Sequence, residues 1–310
     1  SDLHVGKVFE GLNPINIMSS IVKNTELNMD LSDIIGNEVA PPPTWLYLKD
    51  SKEQYDVSMP LSDKGCFSIL TLNQTPQSIL KKVKEICVKS FNQVIDDMNR
   101  NYQRFAKITN ISQKLLPWKT RVVKFSELYE EAKFSYSDRF TSKYNCKLEV
   151  LERKLRNNEI NMIDSNFELI DFIYDYIDDI SPTVVYGLIP PYYPNVTNLF
   201  FNNLDLSIKN ISKKLNDFTV KNFDQIYTSE YFYTGISDLS YTSVKQGDEI
   251  LNALKSSMPL FGKSYNIPVD TIEKISMPCI NIGPWGKDFH KLTERVSMED
   301  LYDKIGRAHV

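Results

Sequence analysis

The sequence predicts an α/β protein in which two differently built parts follow each other along the chain. Three observations support this fold class. Amphipathic helices with recognisable N-caps alternate with short runs of strand periodicity. The apolar, β-branched run Thr183–Pro194 is typical of a strand buried in a mostly parallel sheet. The chain has 310 residues, 42% of them hydrophobic and 25% charged, which is enough for two domains and a substantial core.

The composition argues against several classes of function. A formal net charge of −4 does not suit a nucleic-acid-binding surface, which needs a basic face. No apolar run has the length of a membrane span and the first residues do not form a signal peptide, so we expect a cytoplasmic protein that binds neither nucleic acid nor membrane. The four cysteines are far apart in sequence, and we expect buried free thiols: Cys66, Cys87, Cys146 and Cys279.

Residues 1–125 have the element order of a split βαβ sandwich. A first strand is expected to end near His4, with most of it lying upstream of this chain. Asn13 and Pro14 then mark the N-cap and first position of a helix that runs to about Asn28. The remaining predicted elements are strands at Trp45–Leu48, Cys66–Leu72 and Arg121–Phe125 and a long helix from Pro76 to about Tyr102.

After Phe125 the pattern changes to helices separated by polar turns. The predicted helices are Glu127–Lys133, Ser137–Asn157, Asn166–Asp179, Leu204–Phe223 and Asp248–Met258. A short aromatic strand is predicted from Tyr231, and another apolar strand at Pro278–Ile282. Residues 305–310 break the amphipathic pattern before them, and we expect them to be a non-native tail.

Residues whose side chains can take part in catalysis or metal binding cluster after the predicted strand Pro278–Ile282. Gly283 and Gly286 require an irregular loop. His290 follows, with Asp288 two residues before it and Glu294 four residues after it. A strand, a glycine loop and a His/Asp/Glu cluster are typical of ligand presentation at the carboxyl edge of a sheet. A lone histidine is more often structural than a ligand, so these residues by themselves leave both interpretations open.

The segment at 283–296, Gly-Pro-Trp-Gly-Lys-Asp-Phe-His-Lys-Leu-Thr-Glu-Arg-Val, resembles the last signature of a known enzyme family. This is the family of di-zinc metallopeptidases that includes carboxypeptidase G, acetylornithine deacetylase and aminoacylase. Within it, the amino-acid sequence of this segment is most similar to an arginine-utilisation branch. In that family the histidine is a zinc ligand and the glutamate four residues later supports the loop.

The resemblance therefore implies a zinc-ligand role for His290. It implies supporting roles for Asp288 and Glu294, and substrate contacts for Gly283 and Gly286.

A second motif of the same family lies at the other end of the chain. His4, Gly6, Gly11 and Asn13 are similar to the pattern that opens the family's inserted lid domain, a ferredoxin-like dimerisation domain. By local chemistry alone His4 is a solvent-facing turn residue. In the family this histidine reaches the partner subunit's active site and polarises the scissile carbonyl. The resemblance thus implies that His4 is catalytic and that residues 1–125 form a homodimer.

A third, weaker similarity concerns Gly235, Ser237 and Asp238. The family has a Gly-[Thr/Ser]-Asp segment that lines the substrate site, and here Ile236 is inserted into it. The resemblance implies that Ser237 and Asp238 contact substrate. A serine-hydrolase elbow is not indicated, because its final glycine is missing.

Most of the family's catalytic machinery has no counterpart in this sequence. A hydrolytic two-zinc site needs several ligands, a bridging carboxylate and a separate general base. The family supplies these from an N-terminal half, through a His-x-Asp and a Glu-Glu pair. This chain has no His-x-Asp, and its Glu130-Glu131 pair lies in a predicted helix.

We therefore expect the C-terminal portion of an amidohydrolase or peptidase that uses two zinc ions and acts on a small amino-acid derivative or peptide. Residues 1–125 would be its lid and residues 126–304 the end of a mostly parallel α/β catalytic domain. On this expectation the portion alone is inactive. The alternative is a non-catalytic dimeric binding protein that kept the fold and lost the metal.

Overall fold

A computed structural model describes residues 3–54, 56–201, 208, 210–232 and 238–301, and it shows a mixed α/β chain with many helical residues and short strands. The α-helices are α1 (Pro14–Thr25), α2 (Pro76–Thr109), α3 (Phe125–Arg156), α4 (Met162–Tyr174), α5 (Ile211–Phe223), α6 (Gly247–Ser257), α7 (Val269–Lys274) and α8 (Met298–Asp300). The strands are β1 (Ile34–Ile35), β2 (Glu38–Val39), β3 (Thr44–Asp50), β4 (Asp63–Ser68), β5 (Val122–Lys124), β6 (Val184–Tyr186), β7 (Gly286–Lys287) and β8 (Arg295–Val296).

Helix α1 begins where its capping residues predict. The Asn13 side chain accepts a hydrogen bond from the N–H of Ile15 at 3.0 Å, and Pro14 occupies the first position, where a missing N–H breaks no helical bond. The buried side chain of Ile17 packs with Phe91 of α2 in one apolar cluster. Helix formation at α1 therefore follows from local caps together with one apolar face.

The hairpin β3–β4 confirms that two strands form where they were predicted, but the second begins and ends earlier in the chain than predicted. Its strands are antiparallel, and Thr44 of β3 faces Ser68 of β4. Residues after Ser68 would face Pro43 and Pro42, which have no N–H to donate to a partner strand. For this reason β4 covers Asp63–Ser68 and not Cys66–Leu72.

This hairpin lies against α4, so the two parts of the chain are in contact. The Tyr47 hydroxyl donates to a carboxylate oxygen of Asp164 at 2.8 Å, and its ring stacks on Phe167 with the centroids 5.8 Å apart. Lys64 forms an ion pair with Asp171 of the same helix. Desolvation, followed by the hydrogen bond to Asp164, raises the pKa of Tyr47 to about 12.

Strands β5 and β6 form the parallel pair of the described structure. Val122 faces Val184 and Lys124 faces Tyr186. Among the described strands β5 therefore pairs outside the hairpin β3–β4, and the single sandwich sheet predicted for residues 1–125 is not confirmed. The apolar run at β6 provides a parallel partner that is distant in sequence, which local periodicity cannot reveal.

Helix α3 replaces two predicted helices. It runs through both of them, and the break between them survives as a kink at Ser137, whose φ is 45°. Its buried face packs with α4 and with Leu260 in the largest apolar cluster of the described residues. The fully buried members include Leu128, Phe140, Leu151, Leu169 and Ile173.

The prediction of a strand at Pro278–Ile282 is wrong, because residues 276–285 have no regular secondary structure. The backbone of Cys279 instead pairs with a side-chain amide. Its N–H donates to Asn198 Oδ1 at 3.0 Å, and Asn198 Nδ2 donates to its carbonyl at 2.8 Å. One asparagine thus occupies the bonding positions that a neighbouring strand would use.

Other expectations have mixed outcomes. All four cysteines are free, but only Cys87 is buried and Cys146 is exposed. Near His4 there is one bridge to Ser58 in place of a strand end. Helix α5 is described from Ile211, and residues 202–207, 209 and 233–237 lie outside the described residues, as does the tail. None of the described helices is both long and apolar enough to cross a membrane.

The entry into α2 is fixed by one buried carboxylate. Asp33 is 6% exposed, and its Oδ2 accepts hydrogen bonds from three consecutive backbone N–H groups, those of residues 72, 73 and 74, at 2.9, 2.7 and 2.7 Å. These residues directly precede Thr75, the N-cap of α2, whose hydroxyl accepts from Ser78. Asp33 therefore sets where the chain turns into the long helix.

We predict that Asp33→Ala lowers the free energy of unfolding by about 3 kcal/mol, because three N–H groups, one of them buried and two partly buried, lose their acceptor. The exposed Asp30→Ala is the control and should change it by less than about 0.5 kcal/mol. Urea denaturation followed by tryptophan fluorescence measures both. Equal stability of the two variants would show that water replaces the carboxylate without cost.

Candidate active site

The segment that contains His290 folds as a small hairpin. Strands β7 and β8 are antiparallel, with Gly286 facing Val296 and Lys287 facing Arg295. A Cβ on Gly286 would lie 3.0 Å from the Arg295 carbonyl oxygen, so this pairing favours glycine. The turn at 288–294 joins the two strands and brings three predicted site residues together: Asp288, His290 and Glu294.

The backbone of His290 is held in an uncommon conformation. Its φ is 60°, in the left-handed region that non-glycine residues occupy at a cost. The His290 N–H donates to a carboxylate oxygen of Glu294 at 3.2 Å, which ties the turn across its open side. The imidazole is exposed and makes no hydrogen bond within the described part of the chain.

The Asp288 carboxylate is engaged by neighbours in the same hairpin. Its Oδ2 accepts from the Arg295 guanidinium and from the Thr293 hydroxyl, the latter at 3.1 Å. The ammonium of Lys291 lies 3.8 Å from its other oxygen. Asp288 therefore balances the cations of this turn and stabilises the turn's shape.

A large groove lies beside the residues that directly precede this hairpin. It has a volume of about 1210 Å³ and is lined by β4, the start of α2, part of α4, β6 and the segments at 187–198 and 226–232. Gly283, Pro284 and Trp285 form part of its wall. His290, Asp288, Glu294, Gly286 and His4 are not among the lining residues, so the structure places Gly283 at the groove and the turn outside it.

His4 lies in a different part of the fold. It is exposed and bridges to Ser58, and its Nδ1 accepts the N–H of Gly6 at 3.0 Å. A Cβ on Gly6 would lie 3.2 Å from that nitrogen, which explains the preference for glycine at this spacing. No hydrogen bond or ion pair among the described residues joins His4 to the His290 turn.

The remaining predicted substrate residues, Ser237 and Asp238, precede and begin a short turn. Ser237 lies outside the described residues. Asp238 begins a short 3₁₀ turn, Asp238–Tyr241, but its side chain is not described. The Glu130-Glu131 pair lies in α3 as predicted, and Glu131 is bound by Arg121.

The described residues do not by themselves fit a zinc site. Within them there is no group of three or more His, Cys, Asp or Glu side chains that could hold a metal ion. A catalytic zinc takes three protein ligands and keeps one open position. In the His290 turn Asp288 is paired with Arg295 and Glu294 binds backbone, which leaves His290 as the candidate donor there.

One polar group of the groove wall had no signal in the sequence. Asn166 of α4 is buried, and its Nδ2 donates to the carbonyl of Met162 at 2.7 Å. Its Oδ1 has no hydrogen-bond partner in the described part of the chain. An asparagine inside a helix shows no pattern that would identify such a group in advance.

Comparison with known proteins gives two distant relatives. The chain is 26% identical over 312 residues to the uncharacterized protein YqjN of Bacillus subtilis strain 168, an alignment that covers 98% of this chain and 53% of that protein. It is 24% identical over 296 residues to protein RocB of the same organism, covering 95% of this chain and 51% of RocB.

Two further comparisons give no match. No family model matches the chain, and no solved structure matches it. The chain spans about half the length of the two curated relatives. It is a distant homologue of YqjN and RocB along nearly its whole length.

Proposed function

We propose that this chain is the C-terminal portion of a zinc-dependent amidohydrolase or peptidase that acts in the cytoplasm on a small amino-acid derivative or peptide, within arginine or other amino-acid catabolism. The observation that carries the proposal is the β7–β8 turn, which presents the imidazole of His290 on a backbone tied by Glu294. The family signature at 283–296 and the relatedness to RocB support the same assignment.

His290 is assigned as a ligand of one of two zinc ions in the longer protein. Its imidazole is exposed and unengaged within the described residues, while its own N–H is bound, so the side chain is free to take a metal. Zinc bound there would activate water for attack on an amide. On this proposal the other ligands and the general base come from the N-terminal half that the family resemblance implies.

His4 is assigned as the group that binds the developing oxyanion in the partner subunit. Its Nδ1 accepts the Gly6 N–H, so in a neutral imidazole the proton is on Nε2. Nε2–H is then a donor directed away from the Gly6 turn and available to a carbonyl oxygen that gains negative charge. Donors of this kind stabilise the transition state more than the ground state.

The rival function is a dimeric binding protein without metal. The sequence of the complete gene distinguishes it from the enzyme. A His-x-Asp and a loop-borne Glu-Glu pair outside this span would favour the enzyme. Their absence would favour the binding protein.

In the full-length protein we predict that His290→Ala removes one zinc ion per subunit and reduces amide hydrolysis severely, since a first ligand of an open metal site is lost. Zinc is measured by elemental analysis after dialysis. Lys291→Ala, an exposed neighbour in the same turn, is the matched control and should retain both ions. The 310-residue chain alone should show no chelator-sensitive hydrolysis, and turnover by it would contradict the proposal.

For His4→Ala we predict unchanged zinc content and a rate lowered by roughly 10²- to 10³-fold, the usual effect of losing an oxyanion donor. The fall should appear in kcat more than in KM, because the donor acts on the transition state. Loss of zinc from His4→Ala would instead identify His4 as a ligand and refute the role in trans.

We predict a homodimer formed through residues 1–125. The β3–β4 pair is a two-stranded sheet among the described residues, and β3 exposes Leu46 and Leu48; edge strands of this kind pair readily with a symmetry mate. Leu48→Arg should raise the dimer dissociation constant about tenfold or more. The matched control Phe134→Arg, at an exposed position of α3, should leave it unchanged. Light scattering on the full-length protein measures this, and an active monomer at tens of micromolar would disprove it.

A further inference from the structure

We propose that the groove beside β6 is the docking site for a strand-bearing segment of polypeptide, the part of a longer chain that YqjN and RocB carry outside the matched region. This inference rests on the proposed function, because it takes the chain to be one portion of such a polypeptide. The occupant is expected to add a strand along the edge of β6 and to fill the groove with apolar side chains.

The geometry of β6 indicates an open edge. Val184, Val185 and Tyr186 all line the groove, whereas no residue of β5 does. Successive side chains of a strand point to opposite faces of a sheet. A space bordered by three successive residues therefore runs along the edge of β6, on the side away from β5.

A parallel pair is also an incomplete unit. All-parallel sheets are typical of α/β proteins with both faces covered, and sheets commonly have about four to six strands. Among the described residues β5 and β6 form a sheet of two. The groove lies where a third strand would pair with β6. We infer that this strand comes from outside the described residues.

The chemistry of the groove fits polypeptide better than a small substrate. Its volume of about 1210 Å³ exceeds the ordinary size of small-molecule pockets, which is roughly 300–1,000 Å³. Among its described lining residues the charged side chains are Glu230 and Asp300, and neither is a cation. The unpaired Oδ1 of Asn166 in the wall offers an acceptor for an N–H group.

The rim of the groove is apolar as well. The stretch that follows α7 exposes a series of large apolar side chains that are close in sequence, and exposed apolar patches mark interaction sites. These side chains are Ile275, Met277, Ile280, Ile282, Trp285 and Phe289. Ile280, Ile282 and Trp285 also line the groove, so rim and groove form one surface that a single partner can cover.

The length of the relatives identifies the occupant. The alignments cover 53% of YqjN and 51% of RocB, so each relative has about as much chain again outside the match. A segment in the same polypeptide has a high effective concentration at the groove and needs no separate association step. A second copy or an unrelated protein would lack this advantage.

The test compares amide hydrogen exchange in the 310-residue chain with exchange in the polypeptide encoded by the complete gene. The Val184 N–H already donates to the Arg121 carbonyl, so the next N–H, that of Val185, lies on the open edge. We expect exchange at Val185 and at residues 279–285 to be slower by about tenfold or more in the longer polypeptide, because strand pairing protects amides. Equal rates would overturn the docking. A gene that encodes nothing beyond this span would overturn it too, as would protection that appears in the 310-residue chain at high concentration, which indicates a second copy.

Matched variants of the longer polypeptide localise the effect. Ile282 lines the groove and Ile180 does not, and they are 44% and 93% exposed in this chain, so lysine at either position leaves the chain alone folded. Ile282→Lys should restore fast exchange at Val185, because its charge would be buried in an apolar contact, whereas Ile180→Lys should not. The same effect from both would overturn the proposal.

Measuring the zinc content of the same polypeptide distinguishes a failure of this inference from a failure of the proposed function. A polypeptide that binds two zinc ions but leaves the Val185 amide unprotected contradicts only the docking. One that protects this amide but binds no zinc contradicts only the enzyme assignment.

Discussion

The start of helix α2 is held by two carboxylates that come from opposite parts of the chain, and the arrangement of both parts depends on it. Asp33 binds the three N–H groups that precede the helix, and Glu249 of α6 accepts the Thr75 hydroxyl at 2.6 Å. Negative charge at a helix N-terminus is also favoured by the helix dipole. Because α2 then contacts α1, both strands of the parallel pair and α6, its anchored start gives the two parts a common frame.

Elements whose formation depends on neighbours in sequence were predictable, and those that depend on distant partners were not. The caps at Asn13 and Thr75 act over two or three residues, so both helix starts agree with the sequence. Strand pairing is a choice among distant segments. For this reason β5 pairs with β6 outside the predicted sandwich, and the apolar residues 278–282 bind the Asn198 amide in place of a strand.

The candidate site shows the same division. The motif around His290 predicts a clustered turn, and the structure brings Asp288, His290 and Glu294 into one hairpin. The left-handed backbone of His290 and the pairing of Asp288 with Arg295 had no sequence signal, since both depend on the strand that returns after the turn. The groove was missed for a stronger reason. Its wall is assembled from at least six separate segments, and none of them by its own pattern indicates that they meet around a groove.

The free thiols give this surface an intrinsic chemical reporter. Cys66 on β4 and Cys279 are half-buried and both lie in the groove wall, whereas Cys146 on α3 is exposed and is not part of that wall. Burial raises the pKa of the Cys66 thiol, and it raises that of the deeper Cys87 to about 12, so both hold their protons more firmly than an ordinary cysteine. Alkylation of the unmodified chain therefore proceeds at rates that depend on what covers each sulfur. With Cys146 as internal standard, the labelling of Cys279 becomes a measure of groove occupancy that needs no substitution at all.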